Sequence, residues 1–564
     1  MDYVLHILVM VCLYSILATS FNLLIGFAGL FALSQAAFYA FGAYATAILS
    51  VKLGLAFPLP LTAAILFTAA VGILVALPAI RISGDYLVIV TLALQVIALA
   101  VIVNWHGLTG GPDGIRGVAP LHFLGLPLDT PRRFLPVAAL AAAAGFLIAW
   151  RLAHSPFGRA LRAMRENEAG AEAVGKNLLY MKVVVFAFSA GLAAVAGSLY
   201  AHYFTYVGAD GFTIEQTIYI LAMVILGGTG NLWGSVAGAA ILVVLPDALQ
   251  FIHLPVEIAD KSRLVIYGVL LMAVLRFRPQ GLLAAAAAGG TRGALTPLAV
   301  TQGGAGLLDP IAPGEATLSG AKLARAFGGI RAVADLSIAL TSGRITGLIG
   351  PNGAGKTTAF NLLTGFLAPD EGEVTLRGRP INGLKAHRIV GAGVARSFQD
   401  LRLFARMSVL ENVLVALPRQ SGDRIGQVFF RPFRVAREER ANIARAMSVL
   451  AFVHHDGKAG ETADSLSYAE EKLLSIARLL ATGAEVLLFD EPLSGLDPTT
   501  LTEILPILRE LARSGRTVCI IEHNLDVIKE LCDEVCFLDE GRILAIGTPE
   551  RLMTDPELAT RYFK

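Results

Sequence analysis

The chain is 564 residues long, 55% hydrophobic and only 16% charged, against a charged fraction of about 25% in soluble proteins. A formal net charge of +2, with no basic face interleaved with aromatics, argues against nucleic acid as a partner. Four scattered cysteines, Cys12, Cys519, Cys532 and Cys536, lack CxxC spacing and nearby ligand-spaced histidines. They read as buried thiols in a reducing compartment, neither a disulfide framework nor a zinc site.

Nearly uncharged runs at 3–25, 61–80, 86–103, 134–150, 183–206 and 264–275 come close to the roughly 20 residues a spanning helix needs, and no such run recurs after residue 316. About nine spans are expected, near 3–25, 30–50, 59–80, 86–104, 134–151, 183–206, 213–228, 232–250 and 263–279. The first has only Asp2 and His6 at its start and no small-residue cleavage site, so it reads as a span rather than a removed signal peptide. Polar positions within the spans, Asn22, Ser34, Gln35, Thr91 and Gln95, read mainly as interhelical hydrogen-bonders, with a polar solute path as the other reading. No full charge stands at mid-span, so nothing suggests a proton relay.

The segment 151–182 carries Arg151, Arg159, Arg162, Arg165, Lys176 and Lys182 and is expected inside the cell, with the N-terminus outside. Arg116, Arg132 and Arg133 fall outside, against the same rule. At Gly227-Gly228-Thr229-Gly230 the chain reads either as a tight turn or as a break in a re-entrant segment. The Ala/Gly-rich stretch from Leu283 to about residue 317 reads as a flexible linker. The expected organisation is a membrane domain over 1–283, a linker over 284–316 and a second domain over 317–564.

In the second domain, Gly350-Pro351-Asn352-Gly353-Ala354-Gly355-Lys356-Thr357-Thr358 has the form of a phosphate-binding loop. Its glycines let backbone N–H groups close on phosphates, Lys356 adds a point charge and Thr357 offers a hydroxyl to Mg²⁺. Around Arg431–Arg445 lies an arginine-rich stretch that reads as a solvated helical face. Ser467 and Glu470 have capping-box spacing, and a serine at a helix N-terminus is also suited to grip a phosphate. Val486–Asp490 is an apolar strand ending in Asp490 and Glu491. The first carboxylate suits the Mg²⁺ shell and the second suits polarising an attacking water, while a helix cap remains the plain structural alternative.

These residues, in this order, resemble the ATP-binding cassette family over essentially all of 317–564. The resemblance implies a signature at Leu466, Ser467, Tyr468, Ala469 and Glu470, a glutamine loop at Gln399 that reaches the metal, a D-loop at Ser494–Asp497 and a switch histidine at His523. It also implies an adenine-stacking aromatic at Phe327. Two such domains would sandwich two ATP molecules, each between one domain's phosphate loop and the other's signature. The usual Gly-Gln of the signature is replaced by Ala469-Glu470, placing a methyl and a negative charge toward the partner's phosphate.

The membrane segments Gly26–Tyr44, Arg81–Leu92, Thr109–Ile115, Phe157–Ala169, Leu226–Gly234 and Phe277–Leu282 are similar to the permeases of branched-chain amino acid importers. Tyr468 and the arginine-rich insertion resemble the ATP-binding subunits of the same importers. The fold class implied is a polytopic α-helical membrane domain followed by an α/β cassette that uses ATP and Mg²⁺. The resemblance further implies a multi-pass protein of the bacterial cytoplasmic membrane, with a second permease, a second ATP-binding subunit and a periplasmic or lipid-anchored solute-binding protein as partners. Glu166, Glu168, Glu172 and Gly175 match the place of the short coupling helix, expected near Gln399; a juxtamembrane helix against lipid is the alternative. Relatives of this type also carry urea and short amides, and a nucleotide-gated channel or regulator is the reading from another class.

Overall fold

The computed structural model describes residues 2–78, 84–123, 126–250, 268–269, 272–274, 276–278, 280–283 and 316–555. About half of the expected ninth span at 263–279 and all of the linker at 284–316 except residue 316 lie outside the described residues, as do Arg81–Ser83. The chain divides into two compact units. The first takes Met1–Arg165, Leu178–Ala287 and Ile425–Phe430; the second takes Glu166–Asn177, Ala288–Arg424 and Arg431–Lys564.

In the first unit the apolar runs form α1 (Asp2–Asn22), α2 (Gln35–Lys52), α3 (Leu59–Ala76), α4 (Asp85–Asn104), α5 (Pro131–Ala153), the amphipathic α6 (Pro156–Glu166), and, beyond the excursion into the second unit, Leu178–Phe204, Ile214–Gly227 and Leu232–Gln250. Among the described residues, Asp2–Phe27, Leu59–Ala76, Tyr86–Asn104, Pro131–Ala153 and Leu178–Phe204 are long and apolar enough to cross a membrane. With no water to satisfy backbone groups in hydrocarbon, helices are the form these runs must take. Where a helix from residue 30 was expected, α1 instead runs into a π-turn at Leu23–Phe27 and α2 begins only at Gln35. The cause is packing. Gly29 takes φ +70°, and a β-carbon there would lie 2.5 Å from Arg165 Cγ.

Asn22, Gln35, Thr91 and Gln95 tie separate segments together, whereas the buried Ser34 hydroxyl has no hydrogen-bond partner among the described residues. Asn22 Nδ2 donates to Asn231 O at 2.9 Å and Ser235 Oγ at 2.7 Å, and its Oδ1 accepts from Gly230 N–H at 2.8 Å. Gln95 Oε1 accepts from Ala37 N–H at 2.6 Å, Thr91 Oγ1 from Leu33 N–H at 2.9 Å, and Gln35 Nε2 donates to Ser20 Oγ at 2.6 Å. The glycine run at 227–230 is a tight turn between Ile214–Gly227 and Leu232–Gln250. Small residues let α2 approach Leu178–Phe204: a β-carbon on Gly42 would meet Ala194 Cα at 2.4 Å.

In the second unit, α7 (Glu168–Ala173) is capped by Asn167, whose Oδ1 accepts from Gly170 N–H at 2.7 Å. It sits with cassette residues: Glu166 Oε2 accepts from Arg406 N–H at 3.3 Å, Lys176 pairs with Asp423 at 2.6 Å, and Glu172 lies 3.7 Å from His387. The neighbouring loop Arg402–Arg406 follows Gln399 in the chain.

The cassette strands are β1 (Ala316–Phe327), β2 (Ile330–Thr341), β3 (Ile345–Ile349), β4 (Glu371–Leu376), β5 (Arg379–Pro380), β6 (Val394–Arg396), β7 (Val486–Asp490), β8 (Thr517–Ile521), β9 (Glu534–Asp539) and β10 (Arg542–Gly547). One six-stranded sheet has the order β6-β7-β8-β3-β9-β10, parallel except for the last pair; a four-stranded antiparallel sheet has the order β2-β1-β4-β5. The apolar runs of β3, β7 and β8 are buried throughout, as parallel central strands require. Leu348, Phe360, Leu488, Ile521 and Leu538 belong to one core. Because β3, β8 and β7 are adjacent and parallel, their C-terminal ends share one edge, the place where open α/β sheets bind ligands.

Candidate nucleotide site

Strand β3 ends at the loop Gly350–Gly355, and the helix Lys356–Leu363 starts on its far side. Gly355, the residue before that helix, has φ +101°, and a β-carbon there would lie 2.3 Å from Ala332 O, so only glycine fits. Lys356 Nζ donates to Gly350 O at 2.8 Å and Pro351 O at 2.9 Å, which folds the ammonium across its own loop. Burial pulls its pKa below the ordinary lysine value, and the charges of Glu491 and Asp490 oppose that pull. Ala354 is buried, whereas Asn352, Gly353 and Thr357 are exposed and Thr358 is half-buried beside it.

Asp490, at the end of β7, is buried. Its N–H donates to Ser397 Oγ at 3.0 Å, and its Oδ2 lies 3.2 Å from Arg396 Nη2. Burial raises the Asp490 pKa, opposed by Arg396, and pushes Arg396 down to about 10. Arg396 also lies 4.5 Å over the Phe398 ring. An aspartate kept in place by a desolvated arginine is a fixed anion at the foot of the phosphate loop.

One residue on, Glu491 meets Gln399 and His523. Its Oε2 accepts from Gln399 Nε2 at 3.2 Å, and its Oε1 lies 3.0 Å from His523 Nε2. Its main-chain oxygen accepts from Lys472 Nζ at 2.6 Å. The backbone there is left-handed, φ +52°, a conformation that costs an L-residue about 1 kcal/mol. Gln399, Glu491 and His523 thus come from three separate stretches and meet because of strand order.

Sequence reasoning missed Arg396, Lys472 and Glu522. Glu522 is 1% exposed and accepts from Leu493 N–H at 2.6 Å, joining the end of β8 to the segment after Glu491; burial raises its pKa to about 7. A basic residue in a buried strand and another on an otherwise apolar helix face were the available signals for the first two; Glu522 had none beyond its place beside His523.

Phe327 closes β1 and is 44% exposed, with the Arg325 guanidinium 5.3 Å over its ring. Asp370 holds that arginine at 2.5 Å. Leu466 is buried, and Ser467 precedes the helix Tyr468–Ala481. The Glu470 carboxylate is not a loose negative charge facing outward, as its sequence position suggested. Its Oε1 pairs with Lys458 Nζ at 2.6 Å, and its Oε2 accepts from both the N–H and the hydroxyl of Ser467 at 2.9 Å. The Lys458 hydrogen bond leads in pulling its pKa down to about 2. Among the described residues no hydrogen bond joins 466–470 to 350–358, and the two groups do not form one site within this chain.

Residues 3–275 match the family described as branched-chain amino acid transport system / permease component, and residues 333–494 match the ABC transporter family. The high-affinity branched-chain amino acid transport ATP-binding protein LivG of Salmonella typhimurium is 38% identical over 240 residues, 42% of this chain and 93% of LivG. The chain belongs to the ABC transporters, as a permease fused to its ATP-binding cassette. This ABC transporter is also 35% identical over 237 residues to the high-affinity branched-chain amino acid transport ATP-binding protein BraF of Pseudomonas aeruginosa, 42% of this chain and 93% of BraF. A crystal structure of a nucleotide-free ATP-binding cassette from an ABC transporter is 30% identical, covering 44% of this chain and 98% of that one, with a TM-score of 0.39. The ABC transporter binds and hydrolyses ATP, and its permease half is embedded in a membrane as several apolar helices. The ABC transporter match at 333–494 contains Gly350–Thr358, Gln399, Leu466–Glu470, Asp490 and Glu491, and leaves Phe327 and His523 outside.

Proposed function

We propose that the chain imports branched-chain amino acids, or closely related small polar solutes, across a bacterial cytoplasmic membrane as one fused subunit of a larger importer. The observation that carries this reading is the permease match over 3–275, because the permease is the half a solute crosses. The LivG and BraF names attached to relatives of the cassette half support the same solute class. A branched-chain side chain and a zwitterionic head suit a path built of apolar helices with fixed polar contacts. The domain limits 1–283, 284–316 and 317–564 belong to this proposal.

In the ATPase step, Lys356 and the N–H groups of Gly350–Thr358 hold the β- and γ-phosphates. Glu491 takes the proton of the attacking water, Gln399 and His523 orient its two carboxylate oxygens, and Phe327 stacks on adenine. The Thr357 hydroxyl, the Gln399 amide and the buried Asp490 carboxylate form an all-oxygen donor set that fits Mg²⁺, which would neutralise phosphate charge there. One permease and one cassette need counterparts: a second permease, a second ATP-binding subunit and a periplasmic or lipid-anchored solute-binding protein. Leu466–Glu470 then acts on the nucleotide held by the partner cassette.

The test is uptake of labelled leucine, valine and urea by proteoliposomes holding the assembled complex and candidate binding proteins. ATP-dependent leucine or valine uptake, lost in Glu491→Gln, supports the proposal. Urea uptake without leucine or valine uptake would reject the solute class, and ATP turnover with no uptake would reject import.

A further inference from the structure

The short helix Ile425–Phe430 lies in the cassette's sequence but belongs to the membrane unit. Arg151, in the last turn of α5, donates from Nε and Nη2 to Val428 O at 3.0 and 2.9 Å. Phe429 stacks on Phe188 of Leu178–Phe204, with ring centroids 5.6 Å apart and planes 16° from parallel. Ile425 N–H donates to the Tyr180 hydroxyl at 3.0 Å. Trp150 and Arg151 close a span of 23 residues. Tryptophan and basic residues at such an end mark the boundary between hydrocarbon and water. The helix is therefore held at the level of that boundary.

The residues at its C-terminal end are uncovered. Phe430 is 87% exposed, and the chain runs straight on into Arg431-Pro432-Phe433-Arg434, where Phe433 is 89% exposed and both arginines are exposed. Two bare phenyl rings in water are unfavourable. Alternating rings and guanidinium groups suit the headgroup zone, where rings sink into the acyl boundary and arginines stay with anionic phosphates. We propose that Phe430 and Phe433 insert into the cytoplasmic interface of the bilayer while Arg431 and Arg434 meet anionic headgroups, making this stretch a lipid anchor within the cassette sequence. The choice of lipid over a protein partner rests on the helix's attachment to two spans at the interface level and on its charge complementarity to anionic lipid.

The experiment places single tryptophans, Phe430→Trp and Phe433→Trp, in the full-length chain in proteoliposomes of phosphatidylcholine and phosphatidylglycerol. Ile330→Trp, at a cassette position 75% exposed, is the control. The emission added over the parent chain is read with brominated phospholipid and with iodide. Brominated lipid should cut the added emission of both anchor variants at least two-fold and leave the control unchanged, while iodide does the reverse. Iodide quenching equal to the control would show open water and overturn the proposal. Quenching by neither agent would show a covering protein surface and overturn it as well. Arg431→Glu with Arg434→Glu, added to Phe430→Trp, should weaken the brominated-lipid quenching when phosphatidylglycerol is present. Unchanged quenching would overturn the headgroup part.

Discussion

Glu491 is gripped at both carboxylate oxygens, by Gln399 at 3.2 Å and His523 at 3.0 Å, so a glutamine in its place keeps the shape and loses only the base. Glu491→Gln should lower kcat of the assembled transporter by about 10²–10⁴-fold with nucleotide binding retained; a parallel loss of ATP affinity would contradict the assignment. At the signature, Ser467 gives its hydroxyl to Glu470, and Lys458 holds that acid. Ala469→Gly with Glu470→Gln removes the methyl and frees the serine, and a several-fold rise in ATP turnover by the complex is expected. Unchanged turnover would reject an impaired signature. The glycine loop and the Asp490–Glu491 pair were legible because their chemistry is local in sequence. The tie between Lys458 and Glu470 was not, since twelve positions separate them and only the fold brings them together.

The order β7-β8-β3 turns three distant strand ends into one edge, and Glu522, just past the end of β8, is 1% exposed there. Its pKa is raised from 4.5 to about 7, so the folded state holds a proton that the unfolded chain releases. Stability contributed by the protonated form is complete below 4.5 and is lost as pH rises through 7. Across that window the loss is about 3 kcal/mol. Glu522→Gln keeps an acceptor for Leu493 and has nothing to titrate. Its Tm advantage over the parent cassette should be larger at pH 8 than at pH 5, and an advantage independent of pH would reject the buried acid. In the membrane half, Asn22→Ala removes two contacts between α1 and the turn before Leu232 and one to Ser235 in the helix that follows, and should cost about 1–2 kcal/mol, read as a lower Tm in detergent. The helices there were legible from apolar runs alone. The non-helical stretch before Gln35 was not, because Arg165, more than a hundred positions away, fills the space beside Gly29.

In the proposed assembly the cassette, whose signature and phosphate loop share no hydrogen bond among the described residues, supplies half of each of two sites. The isolated chain should therefore turn over ATP at under a tenth of the rate of the complex, and equal rates would reject shared sites. Domain limits drawn along the sequence place one boundary at the linker. The contacts draw it differently: Glu166–Asn177 cluster with the cassette, and Ile425–Phe430 with the spans. No composition shift announces those two short pieces, since six or twelve residues are too few to carry one. Their exchange constrains inheritance. Recombination that swapped cassettes at the linker would deliver a foreign 425–430 to the resident spans and leave a resident 166–177 against a foreign cassette. A hybrid that exchanged whole units would need five crossovers, so the two halves of this gene are expected to have descended together.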